Sequence, residues 1–64
     1  SRIDEEELKG LYKSVVMGMI DGSIKSYNDM VSMVLSKGYS DEDSRRIVKT
    51  IATNAPSVAG QLRD

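Results

Sequence analysis

The residues best equipped for chemistry lie together in Lys37 to Thr50, KGYSDEDSRRIVKT, where a run of carboxylates precedes Arg45, Arg46 and Lys49. The oxygens of Asp41, Glu42 and Asp43 are of the type that binds Mg²⁺ or Ca²⁺, but the run lacks the alternating ligands and central glycine of an EF-hand loop. Helix capping accounts for these acids, so no metal or cofactor is expected. GSIKS at 22–26 pairs a glycine with Lys-Ser, yet a phosphate loop needs a second glycine before the lysine and a preceding strand. There is no His and no Cys. The chain therefore cannot build Ser–His or Cys–His nucleophilic arrangements, and the usual proton shuttle near neutral pH is missing. Tyr12, Tyr27 and Tyr39 read as rings at the edge of a core with wet hydroxyls. No catalytic residue is assigned, and the expectation is that the chain is not an enzyme.

Arg45, Arg46 and Lys49 are of the types that contact nucleic-acid phosphates. Two helices joined by KGYS resemble a helix-turn-helix, whose second helix enters the major groove with its N-terminal residues at the base edges. Here those residues are Asp41, Glu42 and Asp43. Carboxylates there oppose a polyanion, whereas affinity for DNA comes from Lys and Arg displacing counterions. The same residues make sense without a ligand. Acids in the first turn complement the helix dipole, and Asp41–Arg45 and Glu42–Arg46 have i, i+4 spacing. A small helix-turn-helix DNA-binding protein remains an alternative, with nucleic acid disfavoured as a partner.

The elements that must position these residues follow from apolar spacing and caps. Leu8, Leu11, Tyr12, Val15, Val16, Met19 and Ile20 form a helical stripe, preceded by Asp4, Glu5, Glu6 and Glu7 and stopped by Asp21-Gly22. A first helix is expected over about 4–21. Ser26 with Asp29 approximates a capping box ahead of Tyr27, Met30, Val31, Val34 and Leu35, and Gly38 offers a left-handed stop, giving a second helix over about 27–37. Ser40 with Asp43 repeats the device ahead of Ile47, Val48, Ile51, Ala52 and Ala55, until Asn54 and Pro56 break the pattern. That gives a third helix over about 41–54. Ser57–Leu62 is expected to form a short C-terminal helical turn that needs a surface to lie on. The fold class is all-α, a small three-helix bundle forming a single domain over 1–64.

The chain opens on Ser and stops at QLRD, and the expectation is a domain or processed piece of something longer. A formal charge of −1, with 30% charged residues, has neither the basic excess of a nucleic-acid binder nor an acidic tail. The longest apolar run, VVMGMI at 15–20, is far short of the roughly 20 residues that span a bilayer. A soluble cytoplasmic chain with no membrane partner is expected.

A domain this small buries only about 60% of its unfolded surface, and without Cys it has no disulfide or cysteine-ligated zinc to support it. Association is the remaining common support. On a helical wheel Met17 falls opposite Leu8, with Gly10, Ser14 and Gly18 beside it as a small-residue ridge that admits another backbone. Met33 is similarly off the stripe of the second helix, and flexible thioethers suit adaptable contacts. These five residues are the candidate interaction surface. The expected function is a non-catalytic helical interaction or self-association module, binding itself as a homodimer or binding a partner helix. A small inhibitor or immunity-type protein is a further alternative.

Overall fold

Every main helix begins on a side-chain cap. The computed structural model describes residues 3–62, with α1 at Glu5–Asp21, α2 at Tyr27–Ser36, α3 at Asp41–Asn54 and a short α4 at Pro56–Ala59. Asp4 lies just outside α1 and accepts the Glu7 N–H at 2.8 Å. Ser26 and Asp29 form a reciprocal capping box at α2, and Ser40 accepts the Asp43 N–H at 3.1 Å at α3. Each such cap stabilises its helix by about 1 kcal/mol by satisfying an otherwise orphaned N–H. Gly38, at φ 102°, takes the left-handed conformation that frees the chain to reverse between α2 and α3.

Three boundaries differ from those read in the sequence. Asp4 caps α1 from outside its first turn, and Lys37 is the C-cap of α2 rather than its last helical residue. The C-terminal helix starts at Pro56 and ends at Ala59, so it is shorter and earlier than a turn over 57–62. Proline at its first position needs no donor and holds the required φ.

Leu11 and Val15 from α1, Met30, Val31 and Val34 from α2, and Ile47, Val48 and Ile51 from α3 meet in one core, closed by Ile24 and Val58. Met30, Val15, Val34 and Val48 are fully buried, each worth about 1.5–3 kcal/mol relative to exposure. The α2–α3 pairing is the most extensive, and α1 packs on both. Ser44 is also fully inside, and its hydroxyl has no hydrogen-bond partner.

The core-facing side of α1 is narrower than its apolar stripe. Ile20 is 75% exposed, and Tyr12, Tyr27 and Leu35 also lie on the surface. At about 100° per residue, Leu8, Leu11, Val15 and Met19 fit an arc of about 80°, and Ile20 lies about 100° beyond its edge. Ile24, from the loop after α1, joins the core on a different side of the helix, over Gly18.

Candidate interaction surface

Turning α1 about its axis carries the chain from core to groove. Gly10, Ser14, Met17 and Asp21 fall within about 60° of one another, well away from the side that bears Leu11 and Val15. They line a groove of about 470 Å³, together with Lys13 and Gly18 of α1, Ser23 and Ile24 of the following loop, and Met33 of α2. All five residues singled out in the sequence therefore border one concavity.

Their situations differ. Met17 is 59% exposed. Gly10 is open, with no atom within 4 Å of where a Cβ would stand. Ser14 is half-buried at the groove floor, and Met33 is half-buried with one side against the core. Gly18 corrects the sequence reading, which placed it on a continuous exposed ridge. It is buried under Ile24, whose Cδ1 lies 2.5 Å from the site of an added Cβ. The loop after α1 folds back to put it there, held by the Ile24 N–H donating to the Gly18 carbonyl at 2.9 Å. The small-residue ridge is therefore two residues long, Gly10 and Ser14, and ends in a wall.

That wall includes an anion. Asp21 accepts the Ser23 N–H at 2.9 Å, and the Ser23 hydroxyl, followed by that N–H, holds its carboxyl below the usual carboxylate range. Hydrogen bonds to the charged form are the cause. Lys13 lines the same groove about two turns earlier along α1.

The basic residues of α3 are arranged differently. Arg45 Nε lies 3.1 Å from Asp41, and Arg46 reaches both Glu42 at 3.2 Å and Asp43 at 3.4 Å. Arg46 and Lys49 border a second groove of about 290 Å³ with Thr50, Thr53 and Asn54, and Arg45 is not in its wall. The three bases considered for phosphate contact do not converge, and the two arginines are already occupied by their own helix's acids. Among the described residues, no three His, Cys, Asp or Glu side chains are grouped to hold a metal, and no helix is long and apolar enough to cross a membrane.

Sequence reasoning missed Ile24 as a core residue, whereas Val58 belongs to the C-terminal turn read as needing a surface and lies against the core. Ile24 is a single apolar residue between polar neighbours in a loop, and its one local signal is the glycine six positions earlier that makes room for it. Compared with protein-family models, curated proteins and solved structures, the chain matches none.

Proposed function

We propose that this chain is a non-catalytic helical interaction module that receives a partner helix in the groove on the outer side of α1. The observation that carries this reading is the pairing of Met17, 59% exposed, with an open floor at Gly10 and Ser14 in one apolar concavity. Small residues let a second backbone approach closely, and helix-in-groove binding uses this kind of anchor and hollow. Met17 and Met33 supply side chains that adapt to what they meet. Lacking His and Cys, the chain has little with which to do chemistry in the same groove.

An inhibitor or immunity-type role would use the same face on an enzyme. A DNA-binding role would instead bring Asp41 and Glu42 close to phosphates; the exposed arginine pairs break at little cost, but the carboxylates oppose the polyanion.

Site-specific photo-crosslinking in the cells that make the protein tests the reading. A crosslinking side chain at position 14 is expected to give a defined protein adduct that Met17→Glu abolishes, and one at position 45 to give none. Equal adducts at both positions, or none at 14, would overturn the assignment of this face.

A further inference from the structure

The groove on α1 carries a projecting side chain and an open stretch of backbone on one face. Met17 projects from the surface, and Gly10 and Ser14 leave a hollow within two turns of it on the same face. Lys13 and Asp21 both line it, about 12 Å apart along the helix at 1.5 Å per residue. A two-fold contact needs a self-complementary patch, in which residue i meets residue j and j meets i. A projection beside an open backbone, with opposite charges about two turns apart, meets that requirement.

Resting on the reading of this groove as a helix-binding face, we infer that its occupant is α1 of a second copy, lying antiparallel so that Met17 of each chain packs over Ser14 of the other and Asp21 faces the open backbone at Gly10. Setting Met17 level with Ser14 of the second copy sets Asp21 level with Gly10 of that copy. Lys13 of the second copy is then one turn away, about 4.5 Å along the axis, and its side chain leans back toward Asp21 because helical side chains tilt toward the N-terminus. Symmetry forms this contact twice.

The register also lays Ile20, 75% exposed, along the aliphatic stem of Lys13 of the second copy, an apolar stretch such side chains commonly bury. A parallel pair would set lysine against lysine and aspartate against aspartate, which is repulsive. Both charged groups stay at the rim, so neither pays for full desolvation. One helix face with a methionine from α2 beside it is a small interface, and its dissociation constant is expected on the order of micromolar.

Sedimentation equilibrium on the purified chain tests this. Wild type is expected to dimerise with concentration. Lys13→Asp and Asp21→Lys should each weaken the dimer about tenfold, because both symmetric contacts turn repulsive. An equimolar mixture of the two variants should recover association to within about threefold of wild type, because opposite charges then meet at both contacts. Asp21→Asn, which keeps an acceptor for the Ser23 N–H, should weaken it less, and circular dichroism verifies that each variant keeps its helix content.

A mixture that associates no better than either variant alone would overturn the antiparallel register. A chain monomeric at millimolar concentration would overturn self-pairing. In that event an adduct at position 14 with a different protein leaves the helix-binding face standing, whereas loss of that adduct as well removes both.

Discussion

Ile24 occupies the space that any side chain at Gly18 would need, with Cδ1 at 2.5 Å and Cγ1 at 2.7 Å from the position of an added Cβ. The relationship ties a loop to the helix before it and closes one end of the groove. Ile24 cannot easily withdraw, because its N–H donates to the Gly18 carbonyl at 2.9 Å and its side chain is 5% exposed.

Gly18→Ala therefore sets two effects against each other. Alanine gains about 0.5–1 kcal/mol of helix preference over glycine, and overpacking costs about 1–3 kcal/mol. The clash dominates, for a net loss of about 1 kcal/mol and a fall in Tm of about 4–8 °C in a domain of this size. Thermal denaturation followed by circular dichroism measures it, and an unchanged or higher Tm would mean that Ile24 is loosely held.

Ser44 presents the opposite case. Its hydroxyl is fully buried and unpaired, and a buried polar group without a partner costs about 1–3 kcal/mol. Ser44→Ala removes that penalty, places the best helix former in α3 and leaves the packing nearly unchanged. Stability in urea should rise by about 1 kcal/mol with an unchanged m-value. A lower midpoint would show that the hydroxyl has a partner in solution.

The Tyr39 hydroxyl donates to a Glu7 carboxylate oxygen, linking the turn between α2 and α3 to the first turn of α1. That hydrogen bond, followed by partial burial and the charges of Glu7 and Asp4, raises the Tyr39 phenol above its ordinary value. A phenol raised on folding binds its proton more tightly in the native state. Its stabilising effect is complete below the unfolded value of about 10 and is lost as pH climbs through the folded value. Tyr39→Phe should lower Tm at neutral pH, and its deficit against wild type should narrow above about pH 10. A deficit constant across that range would remove the link to ionisation.

The helices were legible in the sequence because what starts them is local. Ser26 with Asp29, Ser40 with Asp43 and the acids after Asp4 each act within one turn, and the observed helices end within a residue or two of where caps and apolar spacing place them. What depends on packing was not legible. Periodicity gave Ile20 to the core, but the bundle's geometry leaves it outside, whereas Ile24, with no periodic neighbours, is buried over Gly18. Met17 could be placed outside the core from its wheel position alone. That Gly18 would be covered could not, because the covering residue arrives through a reversal of the chain that no local spacing encodes.

In α3 the Ser40 cap and the ion pairs of Arg45 and Arg46 each close within four residues along the chain. None of them needs the other helices in order to form. Contacts so local are open to an unfolded segment as well as to the bundle. Whatever such contacts retain in the unfolded chain subtracts from their net contribution, so the larger share of the difference between folded and unfolded states falls to the apolar contacts between elements.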